Sequence, residues 1–150
     1  MKSPSPPISI LLVEDDPAHA EIVLRNLTDL RDRVKCIAHL SDGQQALDYL
    51  QREGDHKDPE RSPRPDLVLL DLRLPRVDGF EVLRRMKATD EVSHIPVVVL
   101  TTSEAEGDVA AAYESGACSY LVKPAEFEAY IELMRAFGHY WSDLNRFHGA

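Results

Sequence analysis

The sequence predicts an α/β domain in which five parallel strands form a doubly wound sheet with helices on both faces. Two observations predict this fold class. Five short segments are rich in apolar residues, and each is followed by a longer segment whose apolar residues recur at helical spacing. Strands without alternating polar residues are typical of parallel sheets that helices cover on both sides. A length of 150 residues suits one domain of this kind.

Each aliphatic segment is short enough to be one strand of such a sheet. The five segments are ISILLV (8–13), VKCIAHL (34–40), DLVLLD (66–71), IPVVVLT (95–101) and CSYLVK (118–123). We expect helices at 17–30, 44–53, 80–88 and 108–116, and a last amphipathic helix from Glu126 to about Phe147. The polar, proline-rich segment 54–65 predicts a surface loop.

Local signals indicate where two of these helices begin. Asp16 is a favourable N-cap residue, and Pro17 is a favourable first helical residue. Ser103 and Glu106 have the spacing of a capping box in front of the fourth helix. Both signals follow directly on a predicted strand, as the alternation of strands and helices requires.

The charge balance disfavours two classes of partner. The chain has 17 basic and 26 acidic side chains and a formal net charge of -9, which opposes general affinity for nucleic acid or anionic membranes. No apolar run approaches the roughly 20 residues of a membrane span. The opening MKSPSPP is too polar for a signal peptide. We therefore expect a cytoplasmic protein with no nucleic-acid partner and no membrane partner.

The same features predict a simple domain organisation. We expect residues 1–7 to be a flexible N-terminus and residues 8–150 to be a single domain with an extended C-terminal helix and tail. Cys36 and Cys118 lack metal or redox spacing, so we expect buried thiols. None of the six histidines lies in a metal-type pattern, and we expect all of them at surface or packing positions.

Polar side chains stand where the predicted strands end. They are Glu14 and Asp15 after the first strand, Asp71 at the third, Thr101 and Thr102 at the fourth, and Lys123 at the fifth. Ligands of open parallel sheets bind beyond the carboxyl ends of the strands. We therefore expect these side chains to lie together at one edge of the sheet and to form the functional site.

The chemistry of these side chains indicates phosphoryl transfer. Clustered carboxylates raise each other's pKa unless a cation is present. Oxygen ligands without cysteine or histidine favour Mg²⁺ over zinc. With a lysine and a hydroxyl at the same edge, Asp71 is expected to act as a nucleophile that forms an aspartyl phosphate.

Four motifs in this order resemble the receiver domain of two-component response regulators. They are LLVEDDP, LVLLDLRLPRVDG, PVVVLTTS and GACSYLVKP. Each motif is weak by itself, but four of them on the right strand ends are highly specific. The resemblance extends over about residues 8 to 140 and implies the (βα)5, flavodoxin-like receiver fold.

The resemblance implies how the acidic residues act. Asp71 would accept a phosphoryl group from the phosphohistidine of a partner kinase. Asp15 and Asp71 would bind Mg²⁺ directly, Glu14 would bind it through water, and the main-chain carbonyl of Arg73 would complete the protein ligands.

The resemblance also implies how the remaining residues respond. Lys123 would pair with Asp71 and then with the phosphoryl oxygens, and a cis peptide bond before Pro124 would aim Lys123 into the pocket. The hydroxyl of Thr101, with Thr102 beside it, would move to bind the phosphoryl group. Tyr120 would turn inward to fill the space that the hydroxyl leaves. The added negative charge and acceptor oxygens favour such movements.

Two features outside these motifs predict the partners. The loop 54–65 and the aromatic tail FGHYWSDLNRF (137–147) are similar to the small regulators that partner bacterial phytochrome kinases. We expect a sensor histidine kinase, in particular a bacteriophytochrome, as the phosphoryl donor. We also expect a single-domain regulator whose output is a protein–protein contact, and a homodimer formed through the last helix and tail, because aromatic residues are enriched in interfaces.

Two other classes of protein share parts of the pattern. An FMN-binding, flavodoxin-like module has the same fold but needs a phosphate loop where EDDP would repel phosphate. A metal-dependent phosphatase of the haloacid dehalogenase class shares the nucleophile but needs a second Asp where Arg73 stands. We therefore expect a phosphoacceptor with slow self-dephosphorylation and not an enzyme.

Overall fold

Five parallel strands form one sheet in the computed structural model, which describes residues 6–30 and 32–147. The strands are β1 (Ile8–Val13), β2 (Val34–Leu40), β3 (Leu67–Leu70), β4 (Val97–Thr101) and β5 (Ser119–Val122). Their order in the sheet is β2-β1-β3-β4-β5, and every neighbouring pair is parallel. The predicted doubly wound α/β fold is confirmed.

Helices alternate with the strands, as the periodicity predicts. They are α1 (Pro17–Thr28), α2 (Gly43–Gln51), α3 (Gly79–Lys87), α4 (Glu106–Glu114) and α5 (Phe127–His139). The predicted surface loop 54–65 contains one 3₁₀ turn at Gly54–His56. Among the described residues, no helix is both long and apolar enough to span a membrane.

The central strands separate two apolar layers. Along β1, Leu11 and Val13 pack against α2, α3 and α4, whereas Ile10 and Leu12 pack against α1 and α5. All four residues of β3 are buried, in the same alternation. Because successive side chains of a strand point to opposite faces, a continuous aliphatic strand supplies both layers.

One helix start agrees with the sequence and one does not. The Asp16 side chain accepts a hydrogen bond from the N–H of Ala18 at 2.9 Å, so it caps α1 as expected. The capping box predicted from Ser103 and Glu106 was wrong. The N-cap of α4 is Ala105, which has no side-chain acceptor, and the Ser103 hydroxyl donates instead to Asp108 at 2.6 Å.

The last helix is shorter than predicted. α5 ends at His139, and a π-helical turn follows at Tyr140–Leu144. The N–H of Asn145 donates to the carbonyl of Tyr140 at 2.6 Å, which closes this wider turn. The Trp141 ring packs 5.7 Å from that of Phe147, so the tail folds back on itself instead of continuing as a helix.

Two smaller expectations concern the cysteines and the N-terminus. Cys36 is half-buried and Cys118 is exposed, so the prediction of two buried thiols was wrong. The physical reason is that Cys36 lies in β2 and Cys118 directly precedes β5, and these two strands are the edges of the sheet. The predicted flexible N-terminus falls mostly on residues 1–5, which lie outside the described part of the chain.

Candidate functional site

The strand order places the candidate site beside β1 and β3. The chain leaves β1 toward β2 on one side of the sheet and later returns to β3 on the other side. The crevice beyond the carboxyl ends of two such strands is where open α/β sheets bind ligands. Glu14 and Asp15 follow β1, and Asp71 follows β3, with its N–H donating to the carbonyl of Val13 at 3.0 Å.

Three carboxylates converge in this crevice. One side-chain oxygen each from Glu14, Asp15 and Asp71 lies within 4.8 Å of the others. Glu14 is 2% exposed and Asp71 is 7% exposed, whereas Asp15 faces solvent. Converging carboxylates repel one another, and hard oxygen donors in this number fit a divalent cation that keeps part of its water shell.

Lys123 supplies the positive charge that balances the two buried carboxylates. Its Nζ lies 2.8 Å from Oδ2 of Asp71 and also donates to Oε1 of Glu14. Its backbone N–H donates to the Thr101 carbonyl at 2.7 Å, which extends the pairing of β4 with β5 by one residue. The strand ladder therefore delivers the ammonium to the crevice.

The two buried carboxylates differ in their pKa. Burial raises the pKa of Glu14 to about 7, although the hydrogen bond and charge of Lys123 oppose this shift. Burial also acts to raise the pKa of Asp71, but the hydrogen bond and charge of Lys123 outweigh it and lower that pKa. Asp71 is therefore the carboxylate that stays ionised at neutral pH.

The hydroxyl residues named by the sequence lie in different environments. Thr101 is fully buried, and its Oγ1 has no hydrogen-bond partner within the described residues. Thr102 is exposed. Tyr120 is half-buried and donates from its hydroxyl to the carbonyl of Ser103 at 3.0 Å. A buried hydroxyl without a partner is costly, so the unpaired Oγ1 of Thr101 is an exception among the buried polar groups in the part of the chain that the structure describes.

Arg73 connects the crevice to α4. Its N–H donates to Oδ1 of Asp71 at 3.3 Å, and its guanidinium forms a 2.7 Å ion pair with Asp108. Asp108 also accepts the Ser103 hydroxyl, so one carboxylate joins the turn after β3 to the turn after β4. The sequence did not predict a role for Asp108, because it lies 35 residues after Arg73 and no sequence pattern pairs the two.

His19 is a second residue that the sequence did not single out. Its Nδ1 lies 3.0 Å from Nζ of Lys123, so the prediction that every histidine is a surface or packing residue was wrong here. The available signal was its place in the first turn of α1, which begins at the functional edge of the sheet.

The cis peptide bond predicted before Pro124 was also wrong. Within the described ranges, every peptide bond is trans, including the one between Lys123 and Pro124. The N–H of Lys123 is fixed by Thr101 and its ammonium by Asp71, and these contacts already aim the side chain into the crevice.

Comparisons with known proteins agree with this geometry. A family model described as the response regulator receiver domain matches residues 10–135. Response regulator Rcp1 of Synechocystis sp. is 42% identical over 138 residues, which are 91% of this chain and 90% of Rcp1. The probable methanogenesis regulatory protein FilR2 of Methanothrix harundinacea is 45% identical over 140 residues, 93% of this chain and 87% of FilR2.

Solved structures show the same relationship. The phosphorylated cyanobacterial phytochrome response regulator RcpA matches with a TM-score of 0.89 at 31% identity, covering 95% of this chain and 99% of RcpA. The Mn²⁺-bound form of Rcp1 matches with a TM-score of 0.82 at 38% identity, covering 95% of this chain and all 100% of Rcp1. The chain therefore belongs to the response regulator receiver family.

Proposed function

We propose that Asp71 accepts a phosphoryl group from the phosphohistidine of a sensor histidine kinase. The observation that carries this proposal is the buried pair of Asp71 and Lys123 at the mouth of an acidic crevice. An ionised carboxylate oxygen would form the new O–P bond while the P–N bond breaks, and the electron pair of that bond would stay on the imidazole nitrogen. Lys123 would then donate to the phosphoryl oxygens.

We infer that Mg²⁺ is the cation of this site. Glu14, Asp15 and Asp71 would hold it, together with the main-chain carbonyl of Arg73. When bound, the cation would offset the negative charge of the phosphoryl oxygens. The donor set supports a divalent, oxygen-preferring ion, and the Mn²⁺-bound form of Rcp1 is a related structure that holds one.

We further propose that phosphorylation moves the hydroxyl of Thr101 and then Tyr120. The unpartnered hydroxyl would donate to a phosphoryl oxygen, and Tyr120 would leave the Ser103 carbonyl and fill the vacated space. This movement would change the surface between β4 and α4 and thereby a protein–protein contact. The exposed Thr102 would assist at the rim, and slow self-dephosphorylation would reset the switch.

The partners follow from the same proposal. We infer that residues 8–150 act as one receiver domain in the cytoplasm, with a sensor kinase, in particular a bacteriophytochrome, as donor. Related structures are phytochrome and bacteriophytochrome response regulators, which supports this choice. Nucleic acid and membranes are not expected partners of a chain with a net charge of -9.

We also propose a homodimer through α5 and the tail. Tyr140 and Leu144 are 49% and 61% exposed in the π-helical turn that follows α5. Large exposed apolar side chains on one turn are typical of an interface.

The two alternative functions receive less support. In the place of the second Asp that a haloacid dehalogenase phosphatase needs, Arg73 turns its side chain toward Asp108. The place of an FMN phosphate is taken by the carboxylates of Glu14 and Asp15, which would repel it.

Phosphorylation by acetyl phosphate tests the proposal. The wild-type protein is expected to gain the mass of one phosphoryl group in the presence of Mg²⁺ and none in the presence of EDTA. Asp71→Asn should gain none, whereas Asp90→Asn, an exposed aspartate, should behave as wild type. A wild-type protein without Mg²⁺-dependent label, or equal labelling of Asp71→Asn, would refute the proposal.

A further inference from the structure

The ammonium of Lys123 has three acceptors in the structure. They are Oε1 of Glu14, Oδ2 of Asp71 at 2.8 Å and Nδ1 of His19 at 3.0 Å. An ammonium group has three N–H donors, so this set satisfies it completely. Complete satisfaction is important because the lysine side chain is only 3% exposed, and a buried charge with an unpaired donor is costly.

The contact with Lys123 fixes the form of the His19 ring. An ammonium group can only donate, so Nδ1 must present a lone pair and the proton must lie on Nε2. The carboxylate oxygens of Asp16 and Glu14 lie 3.7 and 3.8 Å from the same Nδ1, beyond hydrogen-bond distance. Of the groups around Nδ1, Lys123 is therefore the one that His19 binds.

Two further contacts hold His19 in place. Its backbone N–H donates to Oδ1 of Asp16 at 3.3 Å, within the cap of α1. Its ring lies 6.1 Å from the ring of Tyr130 on α5, at an angle of 48°. The imidazole of His19 is thus held by the first turn of α1 and by its packing against Tyr130, which is buried.

We propose that His19 is a positioning residue for Lys123. It keeps the ammonium directed at Asp71 when a cation draws the Glu14 carboxylate away. Without His19, the ammonium would keep Glu14 as a partner in competition with the cation, or would leave two of its N–H groups unpaired. This inference rests on the proposed phosphoacceptor function of Asp71.

Two substitutions of His19 test the inference, because one removes the hydrogen-bond acceptor and keeps a ring, and the other keeps an acceptor and removes the ring. His19→Phe keeps a ring against Tyr130 but removes the acceptor, whereas His19→Asn offers Oδ1 near the place of Nδ1. The rate of Asp71 phosphorylation by acetyl phosphate should fall about tenfold in His19→Phe, since a hydrogen bond to a charged group is lost, and stay within about threefold of wild type in His19→Asn.

A second measurement does not depend on phosphorylation or on metal. In the metal-free protein labelled with ¹⁵N-lysine, the buried Lys123 ammonium should give a slowly exchanging signal. His19→Phe should broaden or remove this signal, and His19→Asn should retain it. His94→Phe is the matched control, because His94 is exposed in the turn that precedes β4, at the edge of the sheet opposite the crevice. This variant should change neither measurement.

The outcomes separate this inference from the proposed function. If the wild-type protein is not phosphorylated, the proposed phosphoacceptor function is refuted. The ammonium signal of Lys123 then decides by itself whether His19 positions Lys123. If wild type is labelled, an unaffected His19→Phe, or a His19→Asn as slow as His19→Phe, overturns the inference. Thermal melting checks that each variant folds, and His19→Leu replaces His19→Phe if that variant does not.

Discussion

The ammonium of Lys123 lies 2.8 Å from Oδ2 of Asp71, and the two side chains are 3% and 9% exposed. Charges this far from water stay ionised only with a partner, so each side chain fixes the charge of the other. Asp71 directly follows β3 and Lys123 directly follows β5, so the strands of one sheet hold the pair.

Removal of Lys123 should destabilise the protein and couple its stability to metal. Lys123→Met leaves the buried Asp71 and Glu14 without a counter-charge and is expected to lower the free energy of unfolding by about 3 kcal/mol. Mg²⁺ should restore part of this loss, since it supplies the missing positive charge. Urea denaturation with and without Mg²⁺ measures both effects. Lys35→Met, at an exposed lysine, should be neutral, and a metal-independent loss would contradict the prediction.

The affinity for Mg²⁺ should depend on pH through Glu14. Its pKa of about 7 lies well above the ordinary value of 4.5, so at lower pH a proton must leave before this carboxylate helps to bind the cation. Affinity should therefore fall by up to about tenfold for each pH unit below 7 and level off above it.

This dependence is measured by isothermal titration calorimetry with Mg²⁺ from pH 5.5 to pH 8.5, in steps of about half a pH unit. Proton release should be visible as a dependence of the binding heat on the buffer. In Glu14→Gln, the titration near pH 7 should disappear and the affinity should be lower. A wild-type affinity that is constant over this range would show that Glu14 does not take part.

Replacement of the Thr101 hydroxyl should affect the two states of the switch in opposite directions. Thr101→Val removes a buried hydroxyl that has no partner in the described chain. The free energy of unfolding of the unphosphorylated protein should therefore rise by about 1 kcal/mol. The rise in melting temperature on addition of beryllofluoride and Mg²⁺ should become smaller, because the phosphoryl mimic loses a donor. Thr101→Ser keeps the hydroxyl and should retain that rise. An undiminished rise in Thr101→Val would argue against the switch role.

The turn after β3 should tolerate only glycine at position 79. A Cβ on Gly79 would lie 2.3 Å from the carbonyl oxygen of Asp71 and 2.7 Å from Cα of Leu72. Gly79→Ala should therefore cost about 2 kcal/mol of stability and slow phosphorylation by displacing Asp71. Gly107 in α4 has nothing within 4 Å of the same atom, so Gly107→Ala should be neutral or stabilising by up to about 1 kcal/mol. Equal urea midpoints of the two variants would contradict this account.

The proposed dimer should depend on the apolar side chains after α5. Tyr140→Ser combined with Leu144→Ser should convert the dimer to a monomer at concentrations where wild type is dimeric, because both side chains are exposed in the monomer. Tyr113→Ser is the matched control, since Tyr113 is 49% exposed but lies on α4. Light scattering over a concentration series gives the result. A wild-type monomer at every concentration, with and without beryllofluoride, would rule out the dimer.

The sequence by itself determined the fold class and the edge of the sheet at which the chemistry lies. An uninterrupted aliphatic segment such as 67–70 predicts a buried strand, and all four of its residues are buried. The polar residues that follow such strands mark the carboxyl edge of the sheet. These signals are local, because strand and helix periods appear within a few neighbouring residues. The observed strand bounds consequently differ from the predicted ones by at most a few residues.

Only the tertiary structure decided which side chains touch at that edge. The contact of His19 with Lys123 joins residues far apart in the chain, and it exists because α1 and β5 approach the same crevice. The ion pair of Arg73 with Asp108 likewise joins two turns that the sheet order brings together. No periodicity encodes such contacts. They depend on how the helices pack, which also sets the burial that raises the pKa of Glu14 and the Lys123 contact that, against burial, lowers the pKa of Asp71.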